Sequence, residues 1–220
     1  MNQLHGDAPT ATAGSAPEVA DVGIVAVHGR GATARGILDL ATALDLPSAS
    51  WRAPQATAGT WYPQSFLAPL EANEPWLSAA LDRLDAEVEA LLAAGLDRSR
   101  IALLGFSQGA CLALEFAVRR ARPWHAVVAL TGGLLGPSIE RHAAAGNLAE
   151  TPVFLASGDP DPHVPASRVL DTAAMLRQLG ARVEVRLDPG RPHVVTAREI
   201  GRAREIFLGD PPRAESTAWG

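Results

Sequence analysis

Apolar residues along this chain fall into two patterns: short continuous runs, and longer stretches in which they recur three and four positions apart. Val22 to Val27, Ile101 to Phe106, Ala126 to Leu130, Val153 to Ser157 and Val183 to Leu187 belong to the first kind. Short apolar runs without polar alternation predict strands buried on both faces. Ser50 to Arg52, ahead of Pro54, reads as a further short strand. The second kind is clearest at Leu77, Leu81, Leu84, Val88, Leu91 and Leu92, which predict a helix from Leu77 to Ala94 that stops at Gly95. Helices are also predicted over Arg35–Leu44, Gln108–Arg120, Ser167–Leu179 and Thr196–Leu208. Strands and helices therefore alternate, which calls for a mostly parallel sheet with helices on both faces.

The ends of the chain lack either pattern. Residues 1–20 are rich in Ala, Thr, Pro, Gly and Ser and are expected to be disordered, residues 21–209 to form a single α/β domain, and residues 210–220 to be a loose tail. A length of 220 residues suits one domain with a sizeable core. The formal charge of −5 and the absence of a basic stripe argue against nucleic acid as a partner. The basic residues are all arginine, so no lysine can serve as base or Schiff-base former. No apolar run approaches a membrane span, and the first residues do not read as a signal peptide. With Cys111 as the single cysteine, no intrachain disulfide can form, and a cytoplasmic location is expected.

One motif carries chemistry. Gly105-Phe106-Ser107-Gln108-Gly109 ends a predicted strand and opens a predicted helix. This is the Gly-x-Ser-x-Gly nucleophile elbow, in which a serine is raised on a strained turn and small residues on either side prevent collisions. It points to the α/β-hydrolase fold, where the nucleophile is followed in the chain by an acid and then a histidine base. Four histidines follow Ser107. His125 begins a strand, at the wrong sheet edge. His142 has no acid placed before it, and His163 is too close to the best acid. His193 follows the last strand and precedes the last helix, where the base loop belongs. The acid is expected after Val153–Ser157, and Asp161, held between Pro160 and Pro162, is preferred over Asp159, with Asp188 third.

Two backbone N–H donors are needed to hold the oxyanion of an acyl-transfer intermediate. Gln108, next to the nucleophile, should give one, and Arg30 in the glycine-rich loop His28-Gly29-Arg30-Gly31 the other. His28 itself reads as a structural loop histidine. Trp61, Tyr62 and Phe66 could line an acyl or aryl pocket or, equally, pack their loop against the body. The Arg30 side chain could meet an anionic substrate group, although surface arginines are usually only solvated. Cys111, on the helix after Ser107, reads as core.

Taken together, His-Gly-x-Gly after the first strand, Gly-Phe-Ser-Gln-Gly, Gly-Asp-x-Asp-Pro-x-Val-Pro and a late histidine resemble the phospholipase/carboxylesterase family, over about residues 21–208. The resemblance implies an α/β-hydrolase without a large cap domain, with Ser107, Asp161 and His193 as its triad and the second aspartate of Asp159/Asp161 as the acid. It implies a serine esterase, expected to act on short-to-medium acyl or aryl esters. The triad mechanism calls for no metal or cofactor, a small-molecule ester is the expected partner, and a homodimer is allowed for. Thioester or lactone hydrolysis, or a non-catalytic binding role on the same fold, are the alternatives. The chain departs from the family at Ala32, where an aspartate is usual, and between Gly59 and Trp76, where the thioesterases have an acyl-binding loop.

Overall fold

The computed structural model describes residues 4–6, 8–140 and 146–213. His142 and the last part of the expected tail, residues 214–220, lie outside the described residues. Seven strands form one sheet: β1 (Thr10–Gly14), β2 (Val22–Val27), β3 (Ala49–Pro54), β4 (Ile101–Phe106), β5 (Ala126–Leu130), β6 (Pro152–Asp159) and β7 (Arg182–Pro189). Their spatial order is β1-β3-β2-β4-β5-β6-β7. All neighbours are parallel except β1, which runs antiparallel to β3. This is the α/β-hydrolase fold expected from the alternating patterns and the elbow.

The helices are α1 (Ala34–Ile37), α2 (Asp39–Leu44), α3 (Trp76–Ala93), α4 (Gln108–Arg119), α5 (Ala166–Gln178) and α6 (Ala197–Phe207). Helices α3, α4 and α5 bury their apolar sides on one face of the sheet, around Leu84, Leu103, Phe116 and Leu155. Helices α1, α2 and α6 cover the other face, around Ile24, Trp51, Phe154 and Ile206. The uninterrupted apolar runs follow from this, because β2, β4 and β5 meet a helix layer on each side and need apolar residues in both directions. No helix among the described residues is long and apolar enough to cross a membrane.

Two local expectations need correction. Residues 10–14, expected to be disordered, form β1 with a full antiparallel register from Thr10 opposite Pro54 to Gly14 opposite Ser50. An edge strand draws its hold from backbone pairing rather than from bulky side chains. It is further tied by the Thr10 hydroxyl, which donates to Glu87 Oε1 at 2.6 Å. The helix expected over Arg35–Leu44 is broken at Leu38, whose N–H reaches back to the carbonyls of Arg35 and Gly36 in a tightened turn before α2 starts.

Candidate active site

The sequence turns sharply where β4 meets α4. Ser107 sits between them with φ 55° and ψ −121°, a backbone region that costs a non-glycine residue on the order of 1–3 kcal/mol. Its neighbours make the turn feasible. A Cβ on Gly105 would overlap the Gly109 carbonyl, and one on Gly109 would overlap the carbonyl oxygens of Val27 and His28. The Ser107 N–H donates to Leu130 O at 2.9 Å, which fastens the elbow to the end of β5.

Two loops from distant parts of the chain meet this serine. His193 Nε2 lies 2.9 Å from Ser107 Oγ, and His193 Nδ1 lies 2.9 Å from Asp161 Oδ2. A carboxylate can only accept, so the proton sits on Nδ1 and Nε2 accepts from the serine hydroxyl. The Asp161 side chain is fully buried. Burial pushes its carboxyl upward, but the N–H groups of His163 and Val164, each 2.9 Å from Oδ1, together with the His193 ring, hold it below the usual value of 3.8. The other two acids are placed differently. Asp188 forms a paired contact with the Arg186 guanidinium at 2.8 Å, which lowers its carboxyl. The side chain of Asp159, at the exposed end of β6, points to neither histidine nor serine by any hydrogen bond.

The loop that carries His193 is anchored by groups the sequence did not flag. Arg191 and Glu199 are both buried and lie 3.2 Å apart. Arg191 also donates to Thr131 Oγ1 at 2.8 Å and to the carbonyls of Pro192 and Val194, on either side of His193. Glu199 completes a capping box with Thr196 at the start of α6. The Thr-x-x-Glu spacing was visible in the sequence. The burial of Arg191 was not, because an arginine in a loop ordinarily reads as solvated.

Around Ser107 and His193 opens a cavity of about 580 Å³, walled by Tyr62, Phe66, Phe106, Cys111, His163 and Val164. Of the three aromatic residues singled out for a pocket, Tyr62 and Phe66 line it and Trp61 does not. Trp61 is fully buried, and its indole N–H donates to His28 O at 2.9 Å, so it packs the loop against the body instead. Cys111 is buried with its thiol pushed up to about 12, mainly by burial, which keeps it protonated and a poor nucleophile. His28 is buried: its Nδ1 donates to Gly29 O and its Nε2 accepts the Ala56 N–H. His163 is no part of the chain of bonds through Ser107, but its ring packs edge-on against His193 at 4.9 Å. His125 bonds Phe207 O, at the start of β5 and away from the cavity.

Arg30 is exposed, but its guanidinium turns back onto the loop after Trp61. It donates to the carbonyls of Tyr62, Pro63 and Gln64 at 2.9–3.0 Å. Gln108 takes up the same loop from the other side, accepting the Trp61 N–H at 2.9 Å and donating to Tyr62 O at 2.8 Å. The backbone N–H groups of Arg30 and Gln108, the pair expected to hold an oxyanion, belong to the loop after β2 and the first turn of α4, both of which border the cavity.

Comparison with known proteins points in one direction. The sequence model of the phospholipase/carboxylesterase family matches residues 13–207. A phospholipase/carboxylesterase from Dyadobacter fermentans has 40% sequence identity and superposes with a TM-score of 0.88, covering 92% of this chain and 97% of that one. Acyl-protein thioesterase 1 of Saccharomyces cerevisiae is 36% identical over 88 residues, 39% of this chain, and the match spans only 38% of the yeast protein. The carboxylesterase of Bacillus cereus, at 20% identity and a TM-score of 0.74 over 93% of this chain and 95% of its own, shares the fold.

Proposed function

The chain belongs to the phospholipase/carboxylesterase family of α/β-hydrolases, and from that premise we propose that it is a serine esterase that cleaves short-to-medium acyl or aryl esters through an acyl-enzyme on Ser107. The observation that carries this reading is the unbroken relay from Ser107 Oγ to His193 to Asp161, both links 2.9 Å long, at the rim of a cavity.

His193 takes the serine proton as Oγ attacks the ester carbonyl, and the buried Asp161 carboxylate steadies the imidazolium that forms. The Gln108 and Arg30 N–H groups receive the developing oxyanion, each worth on the order of 2.7–4 kcal/mol of barrier. His193 then passes its proton to the leaving alcohol. Water, deprotonated by the same imidazole, attacks the acyl-enzyme and releases the acid. Tyr62 and Phe66 offer apolar walls for an acyl or aryl group beside the nucleophile. Every side chain of this scheme comes from one chain, so a homodimer would not be needed to complete it. The single cysteine, Cys111, allows no intrachain disulfide, which fits the cytoplasmic setting expected from the sequence.

A thioesterase reading uses the same residues and draws on the partial match to the yeast thioesterase. Ser107→Ala should lower kcat by as much as roughly 10⁶ and abolish labelling by a fluorophosphonate probe. Retained turnover would overturn the assignment, and a wild-type protein that takes no label would favour a binding role. A panel of p-nitrophenyl esters of rising chain length, aryl esters and acyl thioesters, compared by kcat/KM, decides between ester and thioester.

A further inference from the structure

The two residues whose N–H groups are assigned to the oxyanion lie beyond the ends of the paired strands β2 and β4, and past the last ladder pair, Val27 with Gly105, no backbone pairing between the strands sets the distance between them. The loop that carries Arg30 has little stiffness of its own, since Gly29 and Gly31 flank it and Gly31 has φ 75°. Their side chains nevertheless converge on a single atom. The Tyr62 carbonyl oxygen accepts from Arg30 Nη2 at 2.9 Å, from Gln108 Nε2 at 2.8 Å and from Thr60 Oγ1 at 3.0 Å. Further bonds stiffen both arms: Arg30 to Pro63 O and Gln64 O, the Trp61 N–H to Gln108 Oε1, and the Gly31 N–H to Gly59 O at 2.8 Å.

We propose that the side chains of Arg30 and Gln108 are positioning residues that set the spacing of their own backbone N–H groups by bracing against one shared acceptor, the Tyr62 carbonyl. The proposal rests on the hydrolase reading above and deepens it. Tyr62 also walls the cavity, so the brace joins the substrate pocket and the oxyanion donors into one unit. With three of its five N–H donors directed to these carbonyls, the Arg30 guanidinium is a strut of that unit rather than a receptor for anionic substrates. Charge-assisted bonds of this kind are about twice as strong as neutral ones, which suits a loop that must not drift.

Arg30→Met and Gln108→Met keep both backbone N–H groups and remove the struts. Each should lower kcat about tenfold with KM within about twofold, because donors displaced by a fraction of an ångström lose strength chiefly toward the transition state. Affinity for a trifluoromethyl ketone, which mimics the tetrahedral intermediate, should fall by the same factor as kcat. Arg30→Lys, which can still reach a carbonyl, should recover part of the loss. The double variant should lose less than the product of the two single losses, because both struts lean on the same atom. The proposal is overturned if kcat and ketone affinity stay within twofold of the parent, or if the two losses simply multiply. A rise in KM confined to carboxylate-bearing esters, with kcat unchanged, also overturns it and hands the guanidinium to the substrate. Arg30 is exposed, so its variants decide the matter even where Gln108→Met does not fold. Ser107→Ala is measured alongside: if it retains turnover the hydrolase reading itself fails, whereas an inert Ser107→Ala beside a fully active Arg30→Met removes the brace alone.

Discussion

Ser107 can keep its positive φ because the two glycines around it leave room for β2 and α4 to pass one another closely. Gly109→Ala drives a methyl group into the carbonyls of Val27 and His28, which are backbone and cannot step aside. We expect a cost of about 3 kcal/mol, or roughly 6–12 °C in Tm for a domain of this size. Gly201 is the control. It is exposed within α6, and a Cβ there meets nothing within 4 Å, so Gly201→Ala should add roughly 0.5–1 kcal/mol. Thermal melts of the two variants measure both, and equal shifts would refute the steric account of the elbow. Single residues also mark the limits of sequence reading. The spacing and order of motifs pointed to Ser107, Asp161 and His193, and in the fold the His193 ring lies within hydrogen-bond distance of each of the other two. The same reasoning could not separate Trp61 from Tyr62, because adjacent aromatic residues in an irregular loop carry no periodicity to tell wall from core. Nor could it find the buried Arg191–Glu199 pair, whose meaning depends on loops that approach only after folding.

Among the elements, the loop between β3 and α3 draws its order from two buried histidines. His5 and His28 flank the Trp61 ring, with ring centroids 5.4 and 5.0 Å away. Each accepts a backbone N–H from the loop, Thr57 to His5 Nδ1 and Ala56 to His28 Nε2, and so must stay neutral there. Burial holds both below the ordinary imidazole value of 6.5, and for His5 the nearby Arg83 adds to the effect. The unfolded chain therefore binds these protons more readily than the folded one. Stability is fully present above pH 6.5 and is lost as pH falls below it. Tm should decline from pH 7 to pH 5, and His28→Gln, which cannot take up a proton, should decline less steeply. Parallel curves for the two proteins would remove His28 from the explanation. At this scale the sequence was most readable where apolar runs were long. It failed at β1, which has no bulky side chains, and at Leu38, where one predicted helix is two.

Across the whole molecule, the described residues before β2 act as a strap. His5 bonds the 57–61 loop, the Arg83 guanidinium on α3 donates to Gly6 O and Ala8 O, and β1 adds a strand beside β3. Deleting residues 1–14 should lower Tm by about 4–8 °C, corresponding to about 2 kcal/mol, and reduce kcat through the loosened pocket wall. A truncated protein with unchanged Tm and kcat would show that the strap is dispensable. The strap also leaves the sheet asymmetric. One edge is the short, antiparallel β1, whereas the other is the eight-residue, parallel β7, which has β6 on one side and no strand on the other. That open margin carries Arg186 against Asp188 and Glu184 against Arg202, ion pairs at 2.8 Å. A foreign strand seeking to extend the sheet there would have to strip water from these charges before gaining any ladder bond, so the chain is protected against runaway stacking at the β7 margin.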